Sequence, residues 1–169
     1  MTLTALSARD ALDAPLHERW FAQRGWSSFP FQREVWQAMR AGCSGLLHAT
    51  TGAGKTYAVW FGALARAQLL GVPLRGAHAP PLGVLWLTPM RALAADSVRA
   101  LCRPLADVSS HWTIGMRTGD TPPAERARQD RRFPTALVTT PESLSLMIDA
   151  RGRALRAGER AHRDRRRMA

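Results

Sequence analysis

The first residues able to do chemistry are those of ATTGAGKT, positions 49–56. Holding a polyphosphate requires inward-pointing backbone N–H groups, glycines that let the chain approach, and a helix start whose positive dipole end favours anions. Gly52 and Gly54 supply the turn, and Thr51 and Ala53 supply backbone around it. Lys55 can reach β- and γ-phosphates, and the Thr56 hydroxyl can ligate Mg2+. Lys55 is also the single lysine among 24 basic residues, at a position where a compact ammonium is useful. The first position of the general pattern is Ala49 rather than Gly, so the motif is met in relaxed form. Its surroundings fit: an apolar run precedes it and a long amphipathic segment follows.

Upstream, RGWSSFPFQREVW (24–36) sets Trp26, Phe29 and Gln32 at the start of a helical segment. A glutamine amide can pair with the N6 and N7 edge of adenine, which would put base selection here. The alternative is that Trp26 and Phe29 are core aromatics and Gln32 a helix-start residue. Three more stretches, LTPMRAL (87–93), RTGDT (117–121) and TTPESL (139–144), fall at the ends of predicted strands, where open α/β sheets place ligands. In the first and third, a Thr-Pro pair (Thr88-Pro89, Thr140-Pro141) reads as an N-cap with proline opening the helix. Thr88, Arg91, Thr118, Gly119 and Thr140 can then line a track for a nucleic-acid backbone without reading sequence. Each alone is an ordinary cap or turn; the ordered set is far more specific.

Positioning these residues requires alternating strands and helices. Short apolar runs at 44–50, 82–88, 111–117 and 135–140 predict strands, and 31–42, 55–70, 91–105, 123–132 and 141–150 predict helices. Such βα alternation predicts an α/β fold with a mostly parallel sheet and helices on both faces. The Pro- and Gly-rich stretch 72–81 reads as a surface loop.

Composition narrows the function classes. The net charge of +11 hints at a polyanionic partner, but residues 151–169 carry +6 of it through eight arginines against Glu159 and Asp164, leaving the body mildly basic. Cys43 and Cys102 lack metal-like spacing and a nearby His, so they read as buried or incidental thiols, and redox and metal-centre chemistry drop out. No signal-like start and no apolar run of membrane-spanning length occurs, which points to a soluble, non-exported, cytoplasmic protein.

Taken together, the motifs resemble those of superfamily 2 helicases. FPFQ looks like the adenine-recognising Q motif, ATTGAGKT like motif I, TPMRAL like motif Ia, TGDT (with Asp120) like motif Ib, and TTPES (with Glu142) like the TPE element. The phrasing of these stretches from about Trp20 to Asp149 is similar to the ligase-associated DEXH-box DNA helicases of the large helicase-related group. The resemblance implies a RecA-like P-loop NTPase domain, with residues 1–19 an N-terminal extension and 20–150 its N-terminal part. ATP and Mg2+ would be the cofactors and single-stranded or duplex DNA the substrate, in a bacterial DNA-repair translocase whose gene neighbours often encode a DNA ligase and a nuclease-like partner. Pro89, Asp120, Pro141 and Glu142 join the nucleic-acid track on this basis.

Such motors also need an acidic pair on another strand, motif II, to hold Mg2+ and orient water, and arginines from a second RecA-like domain. The sequence contains no Asp-Glu pair. This predicts a chain that binds nucleotide weakly, hydrolyses it slowly, and carries an incompletely covered sheet. The tail has a coding explanation. His162 to Ala169 can be encoded so that the frame one base later reads Ile-Val-Ile-Val-Asp-Glu-Trp, with the Trp codon forced by Met168-Ala169. A frame shift around residues 150–155 would make 151–169 an out-of-frame end. The competing readings are a basic tail that binds nucleic acid, a non-catalytic nucleotide- or nucleic-acid-binding module, and a P-loop ATPase unrelated to nucleic acid.

Overall fold

The computed structural model describes residues 15–72, 78–108, 111–150 and 152. In chain order the elements are α1 (Leu16–Ala22), α2 (Pro30–Arg40), α3 (Lys55–Leu69), β1 (Val84–Leu87), α4 (Arg91–Val108), β2 (Ile114–Arg117), α5 (Pro123–Arg131) and β3 (Ala136–Thr139). A further helical stretch, α6, covers residues 141–150. Each crossover between strands contains a helix, which returns the chain to the same end of the sheet and forces parallel pairing. The order is β1-β3-β2, with both pairings parallel. β3 therefore has neighbours on both sides and all four of its residues are buried. That position explains an apolar Ala-Leu-Val run with no polar alternation.

Strand side chains alternate between faces, and the register aligns Val84, Ala136 and Ile114 in one row and Trp86, Val138 and Met116 in another on the same face. Both rows pack into the main core with Trp60, Phe61 and Leu64 of α3 and Leu101 and Leu105 of α4. On the opposite face α5 covers β2: a Cβ at Gly115 would lie 2.8 Å from the Pro134 ring, with the Gln129 amide next to it. Helices thus flank both faces, as the alternation predicts.

One expected strand is absent. Residues 44–50 adopt no ladder, and Leu46 within them is 96% exposed. Apolar composition makes a strand only where a neighbour accepts its backbone hydrogen bonds. Among the described residues, neither this segment nor the outer edge of β1 has such a neighbour. Leu85 and Leu87 of β1 are also substantially exposed, so the uncovered apolar surface expected of an incomplete sheet is present. Cys43 and Cys102 are free and exposed rather than buried. Part of the 72–81 loop (73–77), the first fourteen residues and the Arg-rich tail apart from Gly152 lie outside the described residues.

α1 has no counterpart among the expected helices. Its LHERWFA segment straddles residue 20 and buries Trp20 and Phe21 against Trp36, Tyr57 and Phe61. His17 lies 3.9 Å, centroid to centroid, from the Trp36 indole. Burial, helped by the Arg40 charge, lowers its pKa from 6.5 to about 4. Unfolding therefore takes up a proton between those values, and stability is full above about pH 6.5 and falls as pH drops toward 4. The loss should amount to about 1–2 kcal/mol at pH 5 relative to pH 8. Urea unfolding of His17→Phe beside the unsubstituted chain checks this, because the variant should lose that part of the pH dependence.

Candidate functional site

The phosphate-loop residues take the conformation their types allow. Gly52 and Gly54 have φ of 82° and 84°, the left-handed region that a side chain disfavours. Gly54 is doubly constrained, since a Cβ there would sit 2.8 Å from the Gln32 amide nitrogen. The Gly54 carbonyl opens α3 by accepting the Ala58 N–H at 3.0 Å, leaving Lys55 and Thr56 in the first turn. The Lys55 ammonium donates to the carbonyls of Ala49 at 2.5 Å and Thr50 at 2.8 Å, folding it over its own loop. Left-handed glycines, a helix start and an ammonium arched over the loop form a cradle suited to a polyphosphate, and the half-buried Thr56 supplies the hydroxyl a Mg2+ ion would use.

Gln32 is bound into this loop. Its side-chain oxygen accepts the Phe29 N–H at 2.9 Å and its amide donates to the Gly54 carbonyl at 3.2 Å. With Gln32 only 1% exposed, it ties the start of α2 to the phosphate loop, a capping role and a loop-positioning role in one side chain. Trp26 and Phe29 are the exposed aromatics beside it, at 51% and 55%. Trp26 meets Trp20 and Phe21 edge-on, and Phe29 stacks on Phe31.

The second cluster follows from strand register. Leu87, Thr139 and Arg117 are aligned across the sheet, so the next residues, Thr88, Thr140 and Thr118, emerge together at one edge. All three are buried. The Thr140 hydroxyl accepts the Ser143 N–H, capping α6 behind Pro141 as expected, but Thr88 is no N-cap: its hydroxyl donates to the Met90 carbonyl and α4 opens only at Arg91, two residues past Pro89. Thr118 accepts the Asp120 N–H and its own N–H reaches the Thr121 hydroxyl. Outward of these scaffolding groups stand Arg91 and Asp120, joined by a 2.9 Å ion pair with both side chains largely exposed. Pro89 precedes α4 and is exposed. The Arg91 guanidinium lies against Gly119, where a Cβ would be 2.9 Å from Nη2. Glu142 is held below the usual carboxylate range, chiefly by its own backbone N–H, then by the Thr140 hydroxyl, with the Arg91 charge adding.

Two arginines that sequence reasoning passed over organise this edge. Arg126 of α5 donates to the carbonyls of Thr121 at 2.8 Å, Gly119 at 2.5 Å and Thr118 at 3.4 Å, fixing the 118–121 loop. Arg117, 14% exposed, pairs with Asp130 at 2.5 Å and binds α5 to the sheet. The only signal for either was its place on a predicted strand or helix flanking the TGDT stretch. A third unforeseen unit joins α1 to α4: Asp107 accepts from the Trp20 indole at 2.9 Å and from Arg24 at 2.6 Å, while Arg24 stacks on the Trp20 ring. Among the described residues no group of three His, Cys, Asp or Glu could hold a metal, and no helix is long and apolar enough to cross a membrane.

Comparison with known proteins matches this arrangement to one family. The family model described as DEAD/DEAH box helicase matches residues 29–160. The Lhr helicase/probable uracil glycosylase of Mycolicibacterium smegmatis is 35% identical over 149 residues, 82% of this chain and 10% of that protein. The Lhr helicase/uracil glycosylase of Escherichia coli is 34% identical over 152 residues, 83% of this chain and 10% of that protein. A solved structure, Mycobacterium smegmatis helicase Lhr bound to ssDNA and AMP-PNP, superposes with a TM-score of 0.65 at 34% identity, over 79% of this chain and 18% of that one. The chain thus spans about a tenth of the length of these two relatives. With a phosphate-loop helix, a parallel sheet and three threonine-led strand ends in the order the motifs require, the chain belongs to the DEAD/DEAH box helicase family, with Lhr-type helicases among its relatives.

Proposed function

We propose that this chain is the ATP-binding part of an ATP-dependent DNA helicase or translocase acting in DNA repair, and that alone it binds nucleotide and single-stranded DNA with little turnover. The observation that carries the reading is the in-register emergence of Thr88, Thr118 and Thr140 at one sheet edge with Arg91 outward of them. A guanidinium set outward of polar strand ends, with the start of α6 directly behind Thr140, suits a sugar-phosphate backbone. The solved relative, bound to ssDNA and AMP-PNP, supports this choice of ligands. Gly52, Gly54 and Lys55 would hold the β- and γ-phosphates of ATP. Bound Mg2+, ligated by Thr56, would offset phosphate charge as it develops. Trp26 and Phe29 would flank the base, with Gln32 holding that side against the phosphate loop.

Slow turnover follows from the sequence holding no Asp-Glu pair to orient water. The same reading puts the protein in the bacterial cytoplasm, beside a DNA ligase and a nuclease-like partner, and treats residues 151–169 as an out-of-frame end. Sequencing the encoding DNA past codon 140 tests that last element: a neighbouring frame that continues into Asp-Glu-Trp-His supports it, and an uninterrupted short frame rejects it.

The binding test is fluorescence anisotropy of a labelled oligo-dT across a salt series, with ATP hydrolysis measured in parallel. Binding should be present at low salt and weaken steeply as salt rises. No binding at low salt would leave a P-loop ATPase unrelated to nucleic acid, and hydrolysis as fast as that of a complete helicase would overturn the claim of low turnover.

A further inference from the structure

The Arg91 guanidinium is where three separate segments meet, and two of them bring carboxylates. Asp120 reaches it from the loop after β2 at 2.9 Å, and Glu142 on α6 is close enough for the Arg91 charge to stabilise its ionised form. The loop carrying Asp120 is fixed, because Arg126 takes the carbonyls of Thr118, Gly119 and Thr121. Gly119 leaves room for the guanidinium to lie against the backbone, so Arg91 is held beside the carboxylate by shape as well as charge. A carboxylate repels a phosphate brought to the same place, whereas a guanidinium binds either one through the same fork of N–H groups.

We propose that Asp120 does not contact nucleic acid but is a positioning residue that competes with a backbone phosphate for Arg91, and so sets the affinity for single strands. This rests on the DNA reading above and adds to it a residue that weakens binding. Phosphate engages Arg91 by displacing Asp120, which lowers affinity for isolated phosphates and favours a strand that also reaches the neighbouring helix starts.

The test compares the full chain with Asp120→Asn, Asp120→Ser, Arg91→Ala and the Arg91→Ala/Asp120→Asn double variant, using anisotropy of labelled oligo-dT at several salt concentrations. Asp120 is exposed and its side chain caps no helix, so the isosteric asparagine leaves the fold intact, and the serine variant provides a second sampling of the same charge removal. Asp120→Asn and Asp120→Ser should tighten binding roughly three- to tenfold at low salt and steepen the salt dependence by about one released counterion. In the Arg91→Ala background the gain should shrink to the smaller part owed to removing a repelling charge. A merely structural role would not produce this Arg91-dependent change in salt slope. Weaker binding by the Asp120 variants, or the same gain without Arg91, overturns the proposal while leaving DNA binding itself intact. If the unsubstituted chain fails to bind oligo-dT at the lowest salt, the DNA reading falls and this inference falls with it.

Discussion

Substituting Lys55→Ala should lower affinity for ATP by about 100-fold or more while leaving the affinity for single-stranded DNA within about twofold. The ammonium donates to two carbonyls of its own loop, 2.5 and 2.8 Å away, and a β- or γ-phosphate oxygen is a stronger acceptor than either. Charge-assisted hydrogen bonds contribute about 1.5–3 kcal/mol each, so losing two of them accounts for the expected factor. Arginine should not rescue binding, because a planar fork does not fit a cradle built for a point donor. Titration with a fluorescent ATP analogue gives the nucleotide affinity, and oligo-dT anisotropy gives the other. DNA binding that survives the loss of nucleotide identifies two separable sites, since among the described residues Arg91, Thr88 and Thr140 bond to Asp120, Met90 and Ser143 and not to Lys55. An unchanged nucleotide affinity would remove the reading of residues 49–56 as a phosphate cradle.

What could be read from the residues, and what could not, divides along a physical line. The phosphate loop was legible because its requirements are local: two glycines, a lysine and a threonine at fixed spacing specify the turn wherever the chain lies. The strand ends at Thr88 and Thr140 were legible because a Thr-Pro pair stops a strand, and α4, α5 and α6 begin at the expected residues 91, 123 and 141. The segment 44–50 was misread because a strand is a relation between two segments, and the apolar residues of SGLLHAT specify only one of them. α1 was passed over because a seven-residue helix has little periodicity of its own; tertiary burial of Trp20 and Phe21 sustains it. Arg126 could not be found from sequence, since its role lies in three carbonyls of another segment and guanidinium-to-carbonyl bonds leave no pattern. Gln32 reads from sequence as a base-pairing group, but at 1% exposure both ends of its amide are taken by Phe29 and Gly54, and its register at the third position of α2 makes it a cap and a tie to the phosphate loop instead.

The largest loss of stability should come from Trp60→Ala. Trp60 is fully buried on α3, one turn past Thr56, and meets Trp112 edge to face at 6.3 Å. Removing a buried tryptophan side chain costs about 3–5 kcal/mol, against a total stability of about 5–15 kcal/mol for an ordinary domain. In a chain with an open sheet edge and exposed leucines the total lies toward the low end, so a substantial unfolded fraction should appear even without denaturant. Trp60→Phe should cost far less. The Trp60 indole N–H is buried with no acceptor among the described residues, so phenylalanine removes an unsatisfied donor, a change worth about 1–3 kcal/mol in the opposite sense to the lost volume. Urea titrations followed by circular dichroism measure both variants. Because α3 carries Lys55 and Thr56 at its start, the apparent nucleotide affinity of Trp60→Ala should fall in proportion to its folded fraction, with no change in the affinity of the molecules that remain folded. A Trp60→Ala chain as stable as the original would mean that α3 is not anchored to the sheet through this indole, and the placement of the phosphate loop would need another support.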